Sequence, residues 1–197
     1  MLRGGGCADP WQNGKTQLLC RSDDGPAAHL TPLETSILQA RSRAFERIQD
    51  RSLLMTERIR LLLEEFEIRM PQLELCQWAE YFLSLEQLDP RWKELLLQLQ
   101  SAGTCPASTG LLELEIPFEQ LVVYFIYRHL PQAQDETDIK ACLGFAVLGF
   151  VMIRALCQAN GGTLPQLLEL ARLYSSEIEY SEENTAAILD LLWAENN

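Results

Sequence analysis

Few side chains in this sequence can do chemistry by type. Two histidines, His29 and His129, are the only imidazoles, and six cysteines stand at positions 7, 20, 76, 105, 142 and 157. A serine, histidine and aspartate relay needs an imidazole oriented by an acid. His29 lies in a Gly- and Pro-rich start, while His129 ends an apolar run, where the carbonyl end of a helix dipole favours a cation. A histidine-based zinc or di-iron site in a bundle draws on several inward ligands, such as Glu-x-x-His pairs, and no such pair is present. The cysteines form no CxxC pair, and Cys7 with Cys20 are too few for an iron–sulfur cluster. There is no Walker loop and no glycine fingerprint after a strand. The expected metal is therefore none, and no catalytic residue is assigned.

Charge carries more information. Sixteen basic against 28 acidic residues leave a net charge of -12, and without clustered cations this excludes a phosphate-binding sleeve and hence a nucleic-acid partner. Residues 101–197 hold 13 acids and only four bases, Arg128, Lys140, Arg154 and Arg172. Arg154 follows thirteen apolar residues, Ala141 to Ile153. A guanidinium keeps its charge in a protein, so on a buried face it requires an anion. The acid-rich stretch from Tyr174 to Asn184 supplies four carboxylates and no base. The expectation is a polar cluster of Arg128, Arg154, Tyr174, Glu177 and Glu179, in which Arg154 or Arg128 pairs with Glu177 or Glu179. The competing reading leaves Arg154 at the bundle edge, stem packed and head in water. The aromatics Tyr124, Phe125, Tyr127, Phe145, Phe150 and Tyr174 either line a pocket or fill the core.

The elements that must position these residues all read as helices. Residues 1–30 show no helical or strand period and are expected to be a flexible leader without the apolar run of a signal peptide. Thr31-Pro32-Leu33-Glu34 combines a capping hydroxyl, a proline at the first helical position and a glutamate at the third, opening a helix over Leu33 to Ile48. The stripe Ile59, Leu62, Leu63, Phe66 and Met70 predicts a second helix ended by Pro71, and Leu73 to Leu85 a third. Asp89-Pro90 caps a fourth bearing Trp92, Leu95, Leu96 and Leu99, followed by a loop over Ser101 to Glu115. Pro117 opens a fifth, apolar on every side from Leu121 to Tyr127 and so expected at the centre. Asp135 to Gln158 forms a sixth, stopped by Asn160-Gly161-Gly162 and too short in its apolar run for a membrane span. Thr163 with Gln166 caps a seventh along Leu167, Leu168, Ala171, Tyr174 and Ile178, and Ser181 caps an eighth bearing Ile188, Leu191 and Leu192. The fold class is all-α, a bundle of seven to eight helices, as one helical domain over 31–197 or with sub-bundles at about 31–100 and 116–197.

Several segments, in order, carry a family resemblance. Ile37-Leu38-Gln39-Ala40-Arg41, Gln49 to Leu53 with Glu57-Arg58, Phe118 to His129, Met152 to Leu156 and Tyr174 to Asn184 resemble the C-terminal region of the flagellin lysine-N-methylase family, covering about Leu33 to Trp193. The resemblance implies a bacterial, cytoplasmic protein-lysine methyltransferase that uses S-adenosylmethionine and carries an iron–sulfur centre in a cysteine-rich N-terminal part. Here that part is replaced by a leader with Cys7 and Cys20 alone. The expectation is thus substrate docking or scaffolding by a chain inactive alone and binding no cofactor itself. Its protein partner would be flagellin or a cysteine-rich methylase half, with no membrane. The expectation leaves three accounts of the chain open: a truncation, a degenerate relative or a separate subunit. The alternative is a non-enzymatic helical protein-interaction module.

Overall fold

The structure, a computed structural model, describes residues 30–102 and 111–197. The expected leader, with His29, Cys7 and Cys20, lies outside the described residues apart from Leu30, as does Cys105. The described residues of Thr31–Asn197 form eight α-helices and no strand: α1 (Pro32–Ile48), α2 (Met55–Glu65), α3 (Leu75–Ser84), α4 (Pro90–Ala102), α5 (Glu115–His129), α6 (Glu136–Ala159), α7 (Leu164–Tyr174) and α8 (Glu182–Asn196). The all-α bundle read from the sequence is what forms.

Local signals set most helix starts. The Thr31 hydroxyl accepts from the Glu34 amide at 3.2 Å while the Glu34 carboxylate accepts from the Thr31 amide at 2.7 Å, closing a capping box on α1. The Asp89 carboxylate accepts from the Arg91 amide at 2.8 Å at the start of α4, Gln166 and Thr163 close a box on α7, and the Ser181 hydroxyl accepts from the Asn184 amide on α8. At the far end of α6, Gly161 and Gly162 take φ of 103° and 67°, and the Gly162 amide donates to the Cys157 carbonyl at 2.9 Å. That is the left-handed stop glycine permits without a Cβ clash.

The second helix ends earlier than Pro71, because Glu67 adopts a φ of 51°. Its amide donates to Glu64 and the Ile68 amide to Leu63 at 2.8 Å, the same pair of helix-ending bonds that glycine usually makes possible. A glutamate in that conformation gives no stop signal to a sequence reading. The fifth helix also differs from expectation. It buries Phe118, Val122, Phe125 and Ile126 but turns Tyr124 and Tyr127 to the surface, so it is two-faced rather than central. On α7, Leu168 is exposed, and Leu167, Leu170, Leu173 and Tyr174 form the buried stripe.

The centre is α6, in which sixteen residues are buried. The uninterrupted apolar run falls short of a membrane span, yet the helix as a whole has the length and hydropathy of one; 83% of its most apolar window is buried inside the bundle, which makes it the core rod. Helices from both sides of residues 103–110 pack on it, α4 as well as α5, α7 and α8. Its two internal glycines are close approaches. A Cβ on Gly149 would stand 2.8 Å from Phe125 Cε2, and one on Gly144 3.4 Å from Leu192 Cδ2 and Met70 Sδ. The helix-propensity penalty of about 1 kcal/mol per glycine is set against that packing.

Candidate functional site

Two buried polar knots occupy this bundle. The one anticipated in the sequence is built where α7 runs into a widened turn, Ser175–Glu179, in which the Tyr180 amide donates to the Ser175 carbonyl at 2.9 Å, five residues back. Such π-turns often accompany functional sites. Here the turn buries three consecutive residues, Glu177, Ile178 and Glu179. Glu179 Oε1 lies 3.1 Å from Arg128 Nε and 3.0 Å from His129 Nε2, and Glu179 Oε2 accepts from the Ser175 hydroxyl. His129 is itself buried against the Phe145 ring, centroids 4.5 Å apart, and its Nδ1 has no hydrogen-bond partner among the described residues. It is therefore a core residue as well as a helix-end one. Arg128 also covers the Tyr180 ring at 5.4 Å.

Glu177 does something different. Its two oxygens accept from the backbone amides of Leu88 and Asp89 at 2.8 and 2.7 Å, so a buried carboxylate from the C-terminal part of the chain anchors the start of α4. Asn184 seals the same junction: its amide donates to the Glu177 and Glu86 carbonyls, at 2.7 and 3.0 Å, and its side-chain oxygen accepts from the Glu86 amide. Hydrogen bonds to a charged acceptor contribute about 1.5–3 kcal/mol each. Glu177→Ala is expected to destabilise the protein by about 3 kcal/mol, with Glu177→Gln intermediate, read as a lower urea midpoint at unchanged slope.

Tyr174 sits at the centre of an aromatic cluster with Phe82, Trp92, Phe125 and Phe145, and its hydroxyl has no partner among the described residues. Burial, reinforced by the Glu179 charge, pushes its phenol up from the ordinary value. The aromatics named in the sequence divide accordingly: Phe125, Phe145, Phe150 and Tyr174 are core, while Tyr124 and Tyr127 reach the surface.

Of the predicted cluster, Arg128 and Glu179 pair, Tyr174 lies in the aromatic core and feels the Glu179 charge without a hydrogen bond to it among the described residues, Glu177 is an adjacent anchor, and Arg154 stands apart. Among the described residues it joins no ion pair, and it is only half-buried. Val151, Arg154 and Gln158 recur at helical spacing and share this intermediate exposure, which marks the outer edge of α6. Arg154→Leu is expected to change stability by no more than about 0.5 kcal/mol in thermal melts.

The second knot joins residues far apart in sequence. Glu119 is fully buried on α5, and its Oε2 accepts from Arg58 Nη1 at 2.9 Å and Arg51 Nε at 3.0 Å, while its Oε1 accepts from Arg51 Nη2 at 2.8 Å and Gln120 Nε2 at 3.1 Å. Arg58 also donates to the Leu53 and Ile48 carbonyls at 2.7 and 3.1 Å, tying down the end of α1 and the connection to α2. One turn earlier, the Glu115 carboxylate accepts from the Met55 amide at 2.6 Å and caps α2, which has no cap from its own N-cap side chain. Burial opposes ionisation of Glu119, but the two guanidiniums outweigh it and hold the carboxyl below its ordinary value near 4.5.

The described cysteines do not fit an iron–sulfur centre. Cys142 and Cys157 are buried about 22 Å apart along α6, Cys76 is half-buried on α3, and all three are free thiols. Burial, then the Asp138 charge, pushes the Cys142 thiol up to about 12. No group of three or more His, Cys, Asp or Glu side chains able to hold a metal occurs among the described residues.

These features define an all-helical domain whose buried charges join its helices to one another. The sequence pattern of the FliB lysine N-methylase C-terminal domain matches residues 43–197. That match covers most of the chain, which therefore belongs to this family. The segments carrying the earlier resemblance include both partners of each knot: Arg51 and Arg58 with Glu119, Arg128 and His129 with Glu179. No curated protein and no solved structure matches the chain.

Proposed function

We propose that this chain is the helical docking or scaffold part of a protein-lysine methylase, with methyl transfer from S-adenosylmethionine carried by a cysteine-bearing part and flagellin as the protein substrate. The observation that carries this reading is the commitment of the buried carboxylates. Glu119, Glu177 and Glu179 are all engaged by guanidiniums, backbone amides or an imidazole. None stands free in a cavity with the reach of a general acid or base. An acidic C-terminal half also suits attraction of a lysine-bearing partner, an effect that salt weakens. A bacterial, cytoplasmic setting belongs to the same proposal.

The test is a methyl-transfer assay with labelled S-adenosylmethionine and flagellin. The purified chain alone is expected to transfer nothing, and transfer is expected when a cysteine-rich methylase half is added. Transfer by the chain unaided overturns the reading.

A second reading, a non-enzymatic interaction module, draws on one surface observation. Tyr127 and Tyr180 are 56% and 73% exposed, and Arg41 and Arg128 lie over their rings at 5.9 and 5.4 Å. Tyrosine and arginine are enriched at protein interfaces. A partner retained equally with and without any methylase activity, and lost in Tyr127→Ala with Tyr180→Ala, would favour it.

A further inference from the structure

The short connection from Leu85 to Asp89 folds α3 and α4 back on each other, and α3 packs chiefly on α4, so the two helices make a hairpin. Its main helix contact with the rest of the bundle is α4 on α6. Phe82 and Trp92 add the two rings that meet Tyr174 across the seam. Polar contacts gather at the hairpin's tip. Glu177 takes the Leu88 and Asp89 amides, and Asn184 takes both backbone groups of Glu86. Along the flanks, the Tyr81 hydroxyl donates to the Ala187 carbonyl at 3.0 Å, and Arg91 pairs with Glu169 at the surface, 2.7 Å apart.

The same seam collects polar atoms that burial leaves without a partner. Four such side-chain atoms occur among the described residues: Gln87 Oε1, Trp92 Nε1, Tyr174 Oη and His129 Nδ1. Gln87 and Trp92 belong to the hairpin, and the Tyr174 ring packs against it. Each of these atoms loses water when the seam is shut and regains it when the seam parts, so closure is weaker than its apolar packing alone would make it. Elsewhere the attachments run deeper. The buried Arg58–Glu119 pair holds α2 to α5, and α6 packs on α4, α5, α7 and α8. Segments that open before the whole fold does are those with fewer apolar contacts to the remainder.

We propose that the α3–α4 hairpin is a flap that parts from the bundle as a unit, with Glu177 and Asn184 as its latch. Both latch residues grip backbone groups at the tip, so releasing them frees the hairpin without unwinding either helix. The chain enters α3 through residues 71–74, which lie in no helix and can take up the rotation. Opening uncovers the faces of Phe82, Trp92 and Tyr174, an aromatic surface hidden in the closed form. The inference is independent of the docking reading.

The experiment is native-state amide hydrogen exchange of the full chain by NMR, in the regime where rates report opening equilibria. The protected amides of α3 and α4 are expected to share one opening that is about a hundredfold more frequent than the opening of the slowest α6 amides. Two variants separate a flap from a bundle that opens all at once. Glu177→Gln weakens the latch in the closed form and is expected to speed exchange in the hairpin and in α6 alike, about tenfold. Ile48→Val trims a fully buried side chain on α1, which packs on α2 and α5. It is expected to speed α6 about fivefold and to leave the hairpin unchanged, because the opened flap still keeps that contact. A hairpin that exchanges as slowly as α6, or that Ile48→Val accelerates as much as α6, would overturn the flap. A hairpin that Glu177→Gln does not accelerate would overturn the latch.

Discussion

Glu119→Leu is expected to lower the unfolding free energy by about 3–5 kcal/mol, because it leaves Arg58 as an uncompensated buried charge. The two arginines on this carboxylate differ in what they can do without it. The Arg51 side chain is 57% exposed and can turn to water, whereas that of Arg58 is 4% exposed and has only the Leu53 and Ile48 carbonyls left. Arg51→Ala should therefore be several-fold milder than Arg58→Ala. Combining Arg58→Leu with Glu119→Leu should recover part of the loss, since the buried charge is gone, but not all, since those two carbonyls then lose their donor. Chemical denaturation of the wild type, Arg58→Leu, Glu119→Leu and the double variant closes the cycle, and equal losses for Arg51→Ala and Arg58→Ala would refute the assignment. The pH dependence has a fixed sign. Glu119 is ionised more easily in the fold than in the unfolded chain, so its stabilisation is complete above the ordinary carboxylate value near 4.5 and is lost as pH falls below it. In Glu119→Leu that acid-side loss should be visibly shallower.

This knot and the fold around it divide what one sequence exposes from what it hides. Helix starts were legible at Thr31, Asp89, Thr163 and Ser181 because a cap is made by residues within three positions of each other. The stop at Gly161 was legible because it depends on what a single residue tolerates. The stop at Glu67 depends on strain accepted in a residue that does not advertise it. The cap on α2 was hidden for a different reason: Glu115 reaches Met55 across sixty positions, and no local pattern encodes that. Arg58 and Glu119 did leave a signal. Arg58 falls three residues after Met55 and four before Leu62, and Glu119 three before Val122 and seven before Ile126, so each charge interrupts a buried stripe. Two such interruptions of opposite sign predict a pair. Arg154 drew attention through the apolar run before it, but the Val151, Arg154 and Gln158 edge decides its exposure, and only packing defines that edge. The exposed Tyr127 shows the same limit, since an apolar run on a helix does not say which face its neighbours leave uncovered.

Tyr174→Ala should be as costly as the loss of Glu119, about 3–5 kcal/mol, while Tyr174→Phe should be neutral or stabilising by up to about 1 kcal/mol. The ring stands 5.4 Å from Phe125 and 6.2 Å from both Phe82 and Trp92, centroid to centroid, so truncation opens a cavity where helices α3, α4, α5 and α7 meet. The hydroxyl is another matter. It is buried with no hydrogen-bond partner among the described residues, so the fold carries its desolvation without return. Phenylalanine keeps the packing and removes that penalty. The same burial determines the alkaline limb. With the phenol pushed up, only its neutral form is favoured in the fold. That contribution is intact below the ordinary value near 10 and declines as pH rises above it. Tyr81 and Tyr124 are raised in the same direction, burial being the main cause in each. Tyr174→Phe should therefore reduce the loss of stability at high pH without abolishing it. If phenylalanine instead destabilises as much as alanine, the hydroxyl has a partner, and the polar knot extends from Glu179 through Tyr174 into the aromatic core.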